Sequence, residues 1–423
     1  MENTPIKKLP SLLLLGLLFT IIELLFIFPT WDLFLAPLLA LLLCYLYFAE
    51  RRKMLVTVIL MLGNDALGTL LLGSVSTVYL IFLFLLYELL NLKKIRVRTL
   101  VLFVFGAFLS FLPALTGVVT IKAALLTVSY LAMLFVLYQK EPSNDGFLEK
   151  LKTSIMGIVL LQALHLLITG GVLVSDTTAR AGLIGLGIGD ANYSALILCV
   201  GVAAILTTEK LRWYWKLLSC GVLLAAMIAT LSISGLLTLL VVIVLSLSLT
   251  QKSNKVFLRV CLILLALVFI FQVYVALPEN LHIDGVDDYI ARVEEKLDFL
   301  EEGDYDAATT DRSALAKYKL NYFFQNLSIL HQFFGLNALT IGDNFMSHNT
   351  YIDFLLQLGI VGAIISLLYA IVRLFHSITD IKNGAAASKY VLTVKALFLF
   401  FAFTVSIYQG PIFALFFLTC FLL

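Results

Sequence analysis

The sequence predicts an all-α integral membrane protein with about fourteen transmembrane helices. Three observations predict it: composition, the length of the apolar runs and the placement of basic residues. Apolar residues fill 61% of the 423 positions and charged residues 13%, and the mean hydropathy is +1.03. A soluble domain is roughly half apolar and roughly a quarter charged. Length alone would suggest two or three soluble domains, but the hydropathy makes 1–423 a single polytopic membrane domain. Apolar runs of roughly 17–25 residues recur, each long enough to cross about 30 Å of hydrocarbon. Backbone groups in lipid need internal partners, so these runs are expected as helices. The period-2 alternation of a membrane barrel is absent.

The spans fall near 10–28, 32–48, 54–72, 74–90, 99–118, 121–138, 154–174, 191–207, 213–231, 233–249, 256–277, 349–374, 389–407 and 410–423. The first is not followed by a small-residue cleavage site. Pro29-Thr30-Trp31-Asp32 reads as a turn, which makes the segment a retained helix rather than a signal peptide. The pairs 54–90 and 213–249 have almost no loop between their halves and 410–423 is short, so the count lies in a range of about 12–14. Cys44, Cys199, Cys220, Cys261 and Cys420 all fall inside spans and form no C-x-x-C. They read as small apolar core residues, not as a disulfide framework or metal site. Polar residues inside spans are Glu23, Asn64-Asp65, Gln162 and His165. Such groups face a cavity or a partner. Asp65 is singled out as a supporting candidate because Gly63 can break its helix; pairing with another span is the default alternative.

Basic residues test the count. With the N-terminus and the loops after even-numbered spans on one side, that side holds 21 of the 29 Lys and Arg. Among them are Arg51-Arg52-Lys53, Lys93-Lys94, Arg96, Arg98, Lys140, Lys210 and Arg212. The opposite side holds Arg180, Arg292, Lys296, Arg312, Lys317 and Lys319, Lys122 is at a boundary, and Lys395 lies within a span. This asymmetry places both termini in the cytoplasm and the long loop 279–348 outside. The net charge of +2 adds little, and the basic residues are topology signals, so nucleic acid is not an expected partner.

The external loop 279–348 carries 13 acidic and five basic residues, a net charge of −8. Val286, Ile290, Val293, Leu297 and Leu300 form an apolar stripe at helical spacing, expected to lie across the membrane surface or to cap a cavity. A second helix is expected from Thr310 or Asp311, both good N-caps, through Leu315, Tyr318, Tyr322 and Phe323. Gly335 and Gly342 then break the chain before Ser347-His348-Asn349-Thr350-Tyr351, where the next span begins. A loop of this length is functional or disordered, and the helical stripe argues against disorder.

The other external segment, 175–192, holds Arg180 and four glycines but no nucleotide-loop pattern. Its glycines read as a flexible turn first and as a close backbone approach to a ligand second. No H-E-x-x-H, Cys/His cluster or G-x-S-x-G occurs, and Asp287-Asp288 reads as the solvated face of an acidic helix. What remains outside is a few arginines, His348 and many carboxylates. Arginine suits phosphate because its planar fork donates paired hydrogen bonds and keeps its charge. Histidine accepts a proton near neutral pH. Together they suit a diphosphate leaving group and a hydroxyl nucleophile. Bland readings stand beside this one: Arg312 paired with Asp306 or Asp311 on a wet surface, Arg180 a solvated turn charge, and Asn349 a helix cap next to a loop-bonded His348.

The run Phe333-Phe334-Gly335 … Ser347-His348-Asn349-Thr350-Tyr351 … Leu358-Gly359-Ile360-Val361-Gly362 resembles the C-terminal signature of the O-antigen polymerase and O-antigen ligase superfamily. Arg180-Ala181-Gly182 … Asp190-Ala191-Asn192-Tyr193-Ser194 is similar to that family's arginine-glycine stretch before an Asn-Pro-Asn-type helix start. Here only Asn192 matches that helix start. Asp311-Arg312-Ser313 resembles its arginine at the start of a loop helix, and Ser232-Ile233-Ser234-Gly235 stands where members often have a Ser-Arg pair, without the arginine. The resemblance covers roughly 175–375.

The resemblance implies a GT-C-like, metal-independent membrane glycosyltransferase without a cofactor, in a bacterial plasma membrane. Such an enzyme polymerises polyprenyl-diphosphate-linked oligosaccharide repeat units into O-antigen, capsular or exopolysaccharide on the external face. A chain-length regulator and a flippase would be its partners. In this chain, Arg180 and Arg312 would hold the diphosphate, and His348 would orient or deprotonate the acceptor hydroxyl. Asn349 would position His348 or cap the helix, with Asn192 in support. A ligase acting on a lipid or protein acceptor uses the same donor. A lipid-linked oligosaccharide flippase or other secondary transporter is the reading from another class, but the internal repeat that transporters tend to show is not visible.

Overall fold

The computed structural model describes residues 17–18, 20–21, 32–62, 77–115, 119–141, 143–169, 172–175, 178–182, 191–209, 211–250, 284–309, 312–335, 348–382, 386–404, 407 and 410–423. They fold as a predominantly helical bundle. In order come α1 (Asp32–Phe48), α2 (Lys53–Leu62), α3 (Thr77–Leu90), α4 (Val97–Leu115), α5 (Ile121–Lys140) and α6 (Asn144–Thr169). A hairpin β1 (Val172–Ser175) and β2 (Thr178–Gly182) follows, then α7 (Ala191–Leu206), α8 (Trp213–Ala229) and α9 (Ile233–Thr250). The acidic loop region contributes α10 (Asp284–Glu301), α11 (Tyr305–Ala308), α12 (Arg312–Asn326) and α13 (Ile329–Phe334). The chain closes with α14 (Thr350–Lys382), α15 (Ala386–Phe401) and α16 (Gly410–Phe417), which runs on as a π turn, Leu418–Leu422. Among the described residues four helices, α4, α5, α6 and α14, are long and apolar enough to cross a membrane. The shorter apolar helices include α2, α7 and α8. The expected span 256–277, most of 10–28, Gly342, and the expected N-caps Thr310 and Asp311 lie outside the described residues.

Two boundaries differ from expectation. The span expected at 154–174 begins earlier, at Asn144, and ends at Thr169. Val172–Ser175 pairs antiparallel with Thr178–Gly182, Val172 opposite Gly182 and Ser175 opposite Thr178; residues 183–190 of the expected glycine-rich turn lie outside the described residues. The β-branched start of that segment favours extended backbone. An isolated two-stranded hairpin is marginal alone, and this one packs through β2 against α7.

α7 is the hub. It is apolar around its whole circumference and buried along nearly its whole length, as a helix surrounded by protein must be. It packs against α6, α8, α9 and α15. Lys389 at the start of α15 forms a 2.7 Å ion pair with Glu209 just beyond the end of α7. The two helices therefore run antiparallel, and the C-terminal end of α15 lies at the N-terminal end of α7. The Lys389 ammonium also holds the Glu209 carboxyl below the usual carboxylate range.

The end of the bundle that holds the α1–α2, α3–α4 and α5–α6 connections is basic. There Glu88, fully buried, takes Lys53 on one oxygen and Lys140 on the other, both at 2.6 Å. Tyr47 stacks on Phe84 beside it, with centroids 4.0 Å apart. A buried carboxylate persists only when its charge is matched, so this cluster pins three helices together at their ends. The exposed Trp213 and Trp215 at the start of α8 are of the type enriched at membrane–water interfaces.

The loop helices have a small core of their own. Phe323 and Leu327 pack on Ile352 and Leu356, docking α12 on the start of α14. α10 forms where the apolar stripe predicts it, with Leu297 and Leu300 left exposed. α12 starts at Arg312 as expected, and two further helices, α11 and α13, are added. Each has a side-chain cap: Asp304 accepts from Ala307 N and Ser328 from His331 N.

The sequence places one continuous span at 349–374, but α14 is broken at Gly359, whose φ of 68° and ψ of −179° are open only to glycine. The cause sits across from it. A Cβ on Gly359 would lie 2.4 Å from Gly335 N, and one on Gly335, itself at φ 72°, would lie 2.2 Å from Gln357 O. The two glycines let the end of α13 touch the backbone of α14 directly, and the kink follows from that contact. Gly359→Ala or Gly335→Ala combines overpacking with backbone strain, and each should lower stability by at least about 2 kcal/mol. Gly221→Ala, where nothing lies within 4 Å, should be neutral. Thermal unfolding in detergent, scored by loss of monodisperse protein, checks the difference.

Candidate functional site

A helix leaves its last four carbonyls without intrahelical partners, and the end of α15 shows where they go. Leu399 O accepts from the Tyr351 hydroxyl at 2.6 Å. Phe400 O and Phe401 O accept from Phe403 N and Thr404 N within the closing turn, at 3.2 and 2.9 Å. Ala402 O accepts from Thr350 N at 2.8 Å. Phe403 O accepts from Asn349 Nδ2 at 3.3 Å, and Thr404 O from Arg312 Nη1 at 2.8 Å. Six consecutive carbonyls are thus occupied, and the last two are taken by residues singled out in the sequence.

His348 and Asn349 form the entry to α14. Asn349 Oδ1 accepts from Tyr351 N at 3.0 Å and Ile352 N at 3.2 Å, the bonds of an N-cap. Capping is therefore shown, and the same side chain ties the helix to Phe403. His348 precedes it with φ 52°. Only a few per cent of non-glycine residues adopt positive φ, with His, Asn and Asp enriched. Such a backbone costs roughly 1–3 kcal/mol and clusters at functional sites. Half-buried, His348 thereby stands one residue before Asn349 and two before Thr350, which tie the entry of α14 to the end of α15. The Arg312 guanidinium reaches across to Thr404 O, and Asp306 takes the Ser313 hydroxyl; Asp311, the other acid weighed as its partner, lies outside the described residues.

A second polar cluster lies at the same end of the bundle. Asn192, buried at the start of α7, accepts from Ser232 Oγ at 2.8 Å and from Ser234 Oγ at 3.4 Å. Ser232 also caps α9 through Gly235 N at 3.1 Å. The two segments whose sequence signal was weakest are thus in direct contact. Arg180 lies on β2, whose strand packs against α7, so its backbone belongs to this neighbourhood. Asp65 lies outside the described residues. The antiparallel pairing of α7 and α15 puts the Asn192 cluster and the Arg312–His348 cluster at one end.

Sequence reasoning does not single out two buried charged side chains on the helices that meet here, Lys319 of α12, 2% exposed, and Asp353 of α14, 8% exposed. Asp353 is an ionisable residue inside the apolar run that starts at Thr350. The rule that flagged Asp65 and Glu23 would have flagged it. Lys319 carried no such signal, because α12 reads as a solvated helix until its partner is known.

A cavity of about 260 Å³ lies at the far end of α14, among Asn144, Asp145, Ser377, Asp380 and Ser388. Two carboxylates and no cation line it, a poor setting for an anion. The Arg312–His348 cluster is the better candidate on chemistry. Comparison with protein-family models, with curated proteins and with solved structures found no match.

Asn349→Ala removes both the cap and the tie to Phe403 and should cost about 1–2 kcal/mol of stability. Asn349→Asp keeps the cap but cannot donate to Phe403 O and brings a negative charge beside carbonyl oxygens. Thermal unfolding should place Asn349→Ser, which keeps only the cap, below the natural chain and Asn349→Asp lower still; a natural chain no more stable than Asn349→Ser would show that the Phe403 link contributes nothing.

Proposed function

We propose that this chain is a GT-C-like membrane glycosyltransferase of about fourteen spans, with both termini in the cytoplasm and loop 279–348 outside. It joins polyprenyl-diphosphate-linked oligosaccharide repeat units into a surface polysaccharide in a bacterial plasma membrane. The observation that supports this most is the convergence of Arg312 and Asn349 on the end of α15, with His348 next to Asn349 in the chain and with Asn192 and the strand of Arg180 at the same end of the bundle. The concentration of basic residues at the opposite end supports the orientation.

In the proposed reaction an acceptor hydroxyl attacks the anomeric carbon of the donor. A new C–O bond forms as the bond from that carbon to the diphosphate breaks, and the electron pair leaves with the diphosphate. His348 orients the hydroxyl and takes its proton. Arg312, whose fork is held in one orientation by Thr404 O, and Arg180 stabilise the growing negative charge on the leaving group. No metal or cofactor is required, and activity should survive a chelator. A flippase would deliver the donor, and a chain-length regulator would set the product size.

The test exploits the positive φ of His348. Asparagine tolerates that backbone, so His348→Asn should fold and insert normally yet lose proton acceptance. With purified protein and a lipid-linked repeat unit, the natural chain should give a ladder and His348→Asn a loss of at least about 100-fold. A ladder of unchanged rate from His348→Asn would overturn its role. No ladder from the natural chain, but transfer once a separate lipid acceptor is added, would mean a ligase. Absence of any transfer would favour a transporter.

A further inference from the structure

We infer that α13 is inserted in the bilayer: its outward face touches lipid hydrocarbon rather than water or another protein. The helix is inside-out. Ile329, Leu330, Phe333 and Phe334, at one-turn spacing along one face, are 74%, 66%, 46% and 57% exposed, and Phe324 beside them is 58% exposed. Its polar residues point the other way. Gln332 Nε2 donates to Phe324 O and Leu327 O at 3.1 and 2.9 Å, and His331 Nδ1 meets Ser328 Oγ at 2.8 Å. A helix in water buries its apolar face and exposes its polar one; lipid reverses that preference.

The occupant follows from continuity and depth. Below Gly359, α14 exposes Val361, Ile364, Ile365, Leu368, Val372 and Phe375, one stripe at helical spacing, which is the lipid face of a helix long and apolar enough to span. The Gly335–Gly359 contact butts α13 against the head of that stripe, so the two exposed surfaces join. The uncharged stretch Ile360–Val372 is about 20 Å long at 1.5 Å per residue, short of a hydrocarbon core of about 30 Å. Arg373, His376, Asp380 and Lys382 follow it on the far side. The missing thickness therefore falls above Gly359, at the level of α13. The α12–α13 corner belongs to the membrane although the sequence sets it within a hydrophilic loop. This inference rests on α14 spanning the bilayer and is independent of the transfer chemistry.

The experiment is site-directed spin labelling of the full chain, its five cysteines replaced, as monomers in lipid nanodiscs. Nitroxides at Leu330→Cys and Phe333→Cys are read by their collisions with oxygen and with a water-soluble nickel chelate. Ile364→Cys serves as the lipid reference and Glu302→Cys as the water reference. Positions 330 and 333 should rank with 364, with oxygen access several-fold above nickel access. Ranking with 302, or shielding from both reagents by a protein partner, would overturn the inference. If the cysteine-free chain does not insert, Phe333→Trp in the natural chain reads the same contact. Quenching of the added fluorescence by brominated acyl chains supports it, and quenching by iodide instead sinks it.

Discussion

The arrangement of the candidate site follows from one obligation: the carbonyls at the end of α15 must find donors. A glycine cap or ordered water meets that obligation in many helices. Here the donors come from two other parts of the chain, the entry to α14 and the first residue of α12. Each hydrogen bond is worth only about 1 kcal/mol net. Leaving such a carbonyl unsatisfied costs about 1–3 kcal/mol, so removal of any one donor is felt by the others. The helix end thereby fixes the relative positions of Arg312, Asn349 and, through its neighbour, His348.

A second constraint sets the scale of the region. Gly335 and Gly359 bring two backbones to a separation that no side chain allows, and α14 breaks there. The break divides it into Thr350–Leu358, which carries the loop helices on Ile352 and Leu356, and Ile360–Lys382, which continues across the bundle. The loop helices therefore rest chiefly on the short segment, with Ile360 the first residue of the long one to join them. Any closure of the loop helices over a substrate would be transmitted to His348 through nine residues of helix.

The helical class, the loop helix at 284–301, the start of α12 and the capping role of Asn349 are legible in the sequence because each rests on local periodicity or on a residue's own hydrogen-bonding preference. The break at Gly359 is not. Its glycine was visible, but the reason for it is a second glycine 24 positions earlier, and contacts at that separation leave no periodic trace. α13 was missed because a six-residue helix is shorter than any hydropathy window. For Arg312 the sequence offers only neighbouring acids, and the acceptor Thr404 O, 92 positions away, is not legible there. The hairpin at 172–182 was hidden by its apolar first strand, which extends the hydropathy of α6.

Depth joins the second constraint to the first. If the bilayer's outer hydrocarbon boundary lies above Gly359, as the length of Ile360–Val372 requires, then Thr350–Leu358 rises through the remaining hydrocarbon. At 1.5 Å per residue this segment adds at most about 14 Å, which brings its N-terminal end to headgroup level. His348, Asn349 and Arg312 then stand where a lipid's phosphate groups stand. A polyprenyl-linked donor anchored in the outer leaflet would present its diphosphate at that height without leaving the membrane. The acidic α10 (Asp284–Glu301), with Asp288, Glu294 and Glu295 exposed, would repel a second diphosphate but not a neutral saccharide. On the proposed reading the external region therefore sorts the two substrates by charge: the diphosphate goes to Arg312 at the membrane surface, and the growing sugar chain goes outward past the acids.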